Sequence, residues 1–183
     1  GCKEDHLPVA ERFCAAGFRC LLVDLPGHGQ HPEPFACFGV HESALPREVL
    51  HAAARQFRFT PGPVGLFGVS QGGAIVLQAA ARGDESWFAV AELSSFASLD
   101  RVIGHQAREY FGFLAPVAKG VVTGLVHHRA GYVPAQVRPV DAASRLSIPV
   151  LIGHGDADAF VTPEQARELF QAVPSTRKQF LNI

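Results

Sequence analysis

A doubly wound α/β fold, a mostly parallel sheet with helices on both faces, is predicted for this chain by two observations. Apolar runs of strand length alternate with stretches whose apolar residues recur at helical spacing, and the loops joining them are short. The run 64–69 (VGLFGV) also passes without a break into a small-residue helical stretch, as a strand-turn-helix unit does. With 183 residues, 48% of them hydrophobic and 18% charged, the chain fills one substantial core and is too short for two ordinary domains, so a single domain over 1–183 is expected.

Each element has its own warrant. Within residues 6–16, Val9, Ala10, Phe13 and Cys14 lie at helical spacing, and Gly17 stands where a left-handed residue closes a helix. Residues 18–24 (FRCLLVD) form a compact apolar run stopped by Pro26 and Gly27, which predicts a strand buried on both faces. Leu45, Val49, Leu50, Ala53, Ala54 and Phe57 make one stripe of period 3.6, a second helix. After the turn-rich stretch 60–63 come the strand 64–69 and the helix 71–82. Residues 88–93 and 149–153 (PVLIG) are the third and fourth strands. Thr162, Pro163 and Gln165 read as the N-cap, first-turn proline and N3 glutamine of a helix over 163–173. Residues 178–183 begin a fifth strand. Between 95 and 145 the rhythm breaks: Gly104, Gly112, Pro116, Gly120, Gly124, Gly131, Pro134 and Pro139 interrupt apolar stretches. A small, partly helical cap insertion is expected there.

The balance of charge excludes some partners. A formal net charge of -1, with Lys and Arg scattered, gives no footprint for nucleic acid or an anionic membrane. No uninterrupted apolar run reaches membrane-spanning length, and the N-terminus lacks the order of a signal peptide. Cys2, Cys14, Cys20 and Cys37 form no CxxC pair. Cys14, on an apolar helix face, and Cys20, opening a strand, are expected to be buried core thiols. Free cysteines and the missing signal point to the cytoplasm. No metal or cofactor is implied, since the adjacent His127 and His128 lack companion ligands at useful spacing.

The chemistry resides in Gly68-Val69-Ser70-Gln71-Gly72, a GxSxG match between an expected strand and an expected helix. In such an elbow a strained serine is lifted out of the turn, and glycines on either side leave room where side chains would collide. The Gln71 N–H, at the helix start, is placed to donate to the oxyanion of a tetrahedral intermediate. A serine hydroxyl needs a base, usually a histidine oriented by a carboxylate. Downstream, residues 153–161 (GHGDADAFV) form a loop at the carboxyl end of a strand, where sites gather in parallel sheets.

Here the chain resembles the α/β-hydrolase family, in which a strand ending HGxxDxxV supplies the acid of a Ser-Asp-His triad; His154, Gly155, Asp158 and Val161 match in order. The resemblance makes Asp158 the acid, with Asp156 the alternative, and His154 part of the loop turn. Residues 24–29 (DLPGHG) resemble the family's DxPGHG turn, so His28 is structural on this reading. Gly1 resembles the second residue of the family's HG oxyanion segment, which makes the Cys2 N–H the second oxyanion donor. The branch it resembles holds serine aminopeptidase-like and dienelactone-hydrolase-like members, on 92–99 (ELSSFASL) and Asp141-Ala142-Ala143 before the fourth strand.

Two departures follow from the family pattern. The triad histidine comes after the next strand, which places it past Ile183, and a strand expected between 18–24 and 64–69 would precede Gly1. The chain therefore reads as a fragment truncated at both ends, with negligible activity by itself. The resemblance implies a serine hydrolase that cleaves a small-molecule carboxylic ester or related acyl substrate through an acyl-enzyme on Ser70. The alternatives are peptidase or thioesterase chemistry on the same triad, or a hydrolase-like binding module without catalysis. Phe111, Phe113, Leu114, Val117, Val121 and Val122 are candidates either to line an acyl pocket or to pack the cap onto the core.

Overall fold

The structure, a computed structural model, describes residues 2–183. Its sheet has four parallel strands in the order β1 (Val64–Val69), β2 (Trp87–Leu93), β3 (Val150–His154) and β4 (Lys178–Asn182). Helices lie on both faces: α1 (Leu7–Ala15), α2 (Leu45–Phe57), α3 (Gln71–Ala80), α4 (Leu99–Phe111), α5 (Ala115–Ala130), α6 (Pro139–Ala143) and α7 (Pro163–Ala172). Parallel pairing brings the carboxyl ends of all four strands to one edge. Val69 pairs with Leu93, Leu93 with Gly153 and Gly153 with Leu181, so the loops that follow emerge side by side.

Two apolar clusters hold this frame. In one, Leu77 and Val76 of α3 pack on Val90, Ile152 and Leu169; the other gathers Ala74, Phe96, Leu99, Val102, Tyr132, Val137 and Val161. Helix α3 is buried nearly all round, at Gly73, Ala74, Ile75, Val76, Leu77 and Ala79, as its lack of charged residues requires. Gly17 has φ +90, the left-handed residue expected after α1. The remaining elements fall within two residues of their expected bounds.

Residues 18–24 depart from expectation. They form no strand: β1, the nearest candidate partner, is a sheet edge across a cavity of about 1740 Å³ that both line. Apolar composition suited a buried strand, but a strand exists only where an edge stands within hydrogen-bonding reach. The segment instead leans on α1, with the Phe18 N–H donating to the Phe13 carbonyl (3.0 Å) and Cys20 Sγ to that of Ala10 (3.7 Å). Phe18 is 62% exposed. For the same reason Cys14 is exposed and Cys20 half-buried, so neither is the core thiol expected.

A second difference lies at α7. Thr162 is its N-cap and Pro163 its first residue, yet the Gln165 side chain does not close a capping box. It is buried and accepts the Ser98 N–H (3.2 Å), tying α7 to the loop before α4.

By windowed composition Leu99–Ala130 is long and apolar enough to cross a membrane, although no unbroken apolar run is. The fold divides it: α4 stops at Phe111, Gly112 takes φ +52, and α5 packs back against α4. The expected lining or packing residues Phe111, Phe113, Leu114, Val117, Val121 and Val122 are all exposed, so they are not buried against the core.

Candidate active site

The turn from β1 into α3 is fixed by its backbone. Ser70 has φ 53 and ψ -117, a region that costs a non-glycine residue about 1–3 kcal/mol. It is held there from both sides: its N–H donates to the Leu93 carbonyl (2.7 Å), and its carbonyl accepts the Ala74 N–H (3.2 Å), the first bond of α3. A Cβ on Gly68 would stand 2.2 Å from the Gly72 carbonyl oxygen, so only glycine permits the turn. Gly72 differs from expectation, since a Cβ there meets nothing within 4 Å. The crowding falls instead on Gly73, whose Cβ would lie 2.9 Å from Ser95 Cβ and 3.2 Å from Glu92 Cβ.

Ser70 is exposed and is among the residues lining the cavity. Beside it the N–H groups of Gln71, Gly72 and Gly73 have no acceptor among the described residues, as expected of a helix start, and the helix dipole adds partial positive charge. Cys2 lines the same cavity, but its N–H donates to Asp5 Oδ2 (2.7 Å). That bond belongs to the turn opening the helix at Lys3, and Gly1 lies outside the described residues.

Asp158 stands in the loop after β3, two strand spacings or about 10 Å from the end of β1. Its Oδ1 accepts the N–H groups of Phe160 and Val161 (both 2.9 Å), which fix the carboxylate, while Oδ2 is 3.7 Å from His154 Nε2. His154 is fully buried and its Nε2–H donates to the Val161 carbonyl (2.8 Å). Asp156 is exposed and accepts from Asn182 Nδ2 (2.5 Å). The loop is braced from above by α4: His105 Nε2 donates to the Ala159 carbonyl and Gln106 Nε2 to that of Phe160, each at 3.0 Å. From β4, Ile183 reaches the same loop, its N–H donating to the His154 carbonyl (2.9 Å) and its carbonyl accepting the Asp156 N–H (3.2 Å).

The DLPGHG turn is built around Asp24, which accepts from Lys3 Nζ (2.6 Å), the Lys3 N–H (2.7 Å) and the Gln30 N–H (3.1 Å). The Lys3 side chain first, then these amides, hold its carboxyl down at about 2. His28 donates from Nδ1 to the Pro26 carbonyl (3.0 Å), a bond within the turn. No cluster of three metal-ligating side chains occurs among the described residues.

Sequence reasoning missed Glu92 as a site element. It lies on β2 opposite Gly68, buried beneath Gly73, with Oε2 accepting the Ser95 N–H (3.0 Å) and Oε1 without a protein partner. A carboxylate two residues after buried Val90, on the same strand face, was the available signal. Burial pushes its carboxyl up to about 8, with the Ser95 N–H opposing to a smaller degree. The folded form therefore binds the proton more tightly than the unfolded chain. Stability is fully present below the ordinary glutamate range and declines as pH rises toward about 8, on the order of 5 kcal/mol in all. Glu92→Gln is expected to abolish that slope in denaturant unfolding followed from about pH 5 to about pH 9. A slope retained in the variant would assign it to another group.

The elbow, the free amides and the parallel sheet edge define a class. The chain belongs to the alpha/beta hydrolase fold family, which matches residues 6–115. Among solved structures it is similar to a monoacylglycerol lipase of Paleococcus ferrophilus, at 19% identity and a TM-score of 0.63 over 100% of this chain and 81% of that one. It is also similar to an esterase of Pyrococcus furiosus (16%, TM-score 0.73, 96% of this chain and 65% of that one) and to a thermophilic esterase from Thermogutta terrifontis (18%, 0.58, 96% and 75%). No curated protein matches the sequence. At such identities the likeness is one of fold.

Proposed function

We propose that the protein hydrolyses a carboxylic ester or related acyl bond through an acyl-enzyme on Ser70. The observation that carries this reading is the conformation of Ser70: a non-glycine residue held at positive φ, exposed, at the head of α3. Strain of that kind persists only where the surroundings enforce it, and here it presents a hydroxyl beside unpaired amides. Ser70 Oγ attacks the acyl carbon, and the oxygen that gains charge accepts from the Gln71 N–H, which is already oriented and needs no reorganisation. A histidine downstream of β4 takes the serine proton and returns it to the leaving group, and Asp158 orients that histidine.

The reading is tested on the full-length protein with matched ester, thioester and aminoacyl substrates. The ester is expected to turn over fastest. Asp158→Asn is expected to lower kcat by about 10⁴-fold, because the histidine loses the partner that sets its tautomer. Asp156→Asn is expected to have little effect. The reverse ranking of the two variants would move the acid to Asp156, and no turnover of any substrate by a folded protein would favour a binding module.

A further inference from the structure

We propose that α5 docks the protein on an anionic lipid surface, lying in the plane of the interface. Val117, Val121 and Leu125 recur at four-residue spacing along α5, one ridge of the helix, Phe113 stands in the 3-10 turn Gly112–Leu114 that leads into it, and all are exposed, Phe113 at 91% and Val117 at 66%. Leu114 and Phe111 widen the ridge. A contiguous apolar strip of this kind marks an interaction surface rather than scattered surface residues.

Length and charge select the occupant. The 16 residues of α5 span about 24 Å, short of the roughly 30 Å hydrocarbon core, and Gly131 ends the helix at φ +74. Lying along the interface suits such a helix, whereas crossing does not. The protein as a whole carries a formal charge of -1, yet residues 99–130 hold Arg101, Arg108, Lys119 and Arg129 against only Asp100 and Glu109. Lys119 is paired with Asp100 (2.7 Å) and Arg101 with Glu168. Arg108, Arg129 and Glu109 have no ion-pair partner among the described residues, which leaves an excess of one positive charge, and α5 itself contains no carboxylate against its Lys119 and Arg129. A second copy docked ridge to ridge would set two carboxylate-free, basic α5 helices against each other, like charge facing like; anionic headgroups supply the counter-charge instead. The whole-chain charge concealed this local excess.

The ridge also flanks the candidate site. The hydrogen bonds from His105 and Gln106 join α4, on which α5 packs, to the Asp158 loop, and Phe160 in that loop is exposed as well. Docking through α5 would set the mouth of the site beside the lipid. The proposal does not depend on hydrolysis, and Ser70→Ala is expected to bind lipid unchanged.

The test is co-sedimentation of the full-length protein with vesicles of phosphatidylcholine alone or mixed with phosphatidylglycerol. The mixed vesicles are expected to carry the protein down, less so at high salt, and phosphatidylcholine alone to carry little. Combining Phe113→Ser, Val117→Ser and Val121→Ser, all exposed positions, is expected to lower partitioning roughly a hundredfold with an unchanged melting temperature. Three results would overturn the proposal. One is a folded wild type that stays in the supernatant, and another is binding indifferent to the triple variant. The third is a wild-type dimer that the triple variant converts to monomer, which would assign the ridge to a second copy.

Discussion

Ser70→Ala is expected to reduce ester turnover by the full-length protein on the order of a millionfold, the loss typical when the nucleophile of a cooperating triad is removed. The size of the effect follows from what remains. The Gln71 N–H still polarises a bound acyl carbonyl, so a slow residual rate persists, but no covalent intermediate forms. The same position gives a second readout. Alanine keeps a Cβ at φ 53 and so keeps the strain, whereas glycine relieves it. Ser70→Gly is therefore expected to be as inactive as Ser70→Ala and more stable than it by about 1 kcal/mol or more, a melting temperature some 2–4 °C higher. Substantial turnover in either variant would remove Ser70 from the chemistry.

Among substitutions at fixed pH, the largest loss of stability is expected from Gly68→Ala. Its Cβ would enter backbone rather than the yielding end of a side chain: the nearest atoms are the Gly72 carbonyl oxygen at 2.2 Å, the Gly72 carbonyl carbon at 2.3 Å and the Gly73 nitrogen at 2.7 Å. Relief requires α3 to move off β1, yet α3 is packed on Glu92 and Ser95 through Gly73 and pinned by the Ser70 bond to Leu93. A cost of about 3 kcal/mol follows, or about 6–12 °C in melting temperature. Activity in the folded fraction should fall as well, because the same movement displaces Ser70. Gly72→Ala, by contrast, meets nothing within 4 Å and should fold nearly normally. Equal stability of the two variants would contradict this account of the turn.

The unit from β1 to α3 was legible because its signal is local. An apolar run, a glycine-flanked serine and a small-residue helix follow one another within 17 residues, 64–80, and β1 occupies 64–69 as expected. Residues 18–24 carried an equally good composition and failed, since strand formation depends on a partner remote in sequence. Cys14 shows the same limit, because helical spacing names a face without saying what covers it. The α5 residues are the larger case: their apolar character was plain, but burial is decided by neighbours, and beyond α4 nothing among the described residues covers the face that carries Val117, Val121 and Leu125. Glu92 was hidden differently. It stood within a motif read for its resemblance, while its position on the inward face of β2 carried the physical information.

The central claim is tested most directly by treating the full-length protein with a fluorophosphonate probe and locating the adduct by peptide mass spectrometry. One phosphonyl group is expected on Ser70, none in Ser70→Ala, and slower labelling in Asp158→Asn. A folded protein that takes no label, or takes it on another residue, would contradict the claim.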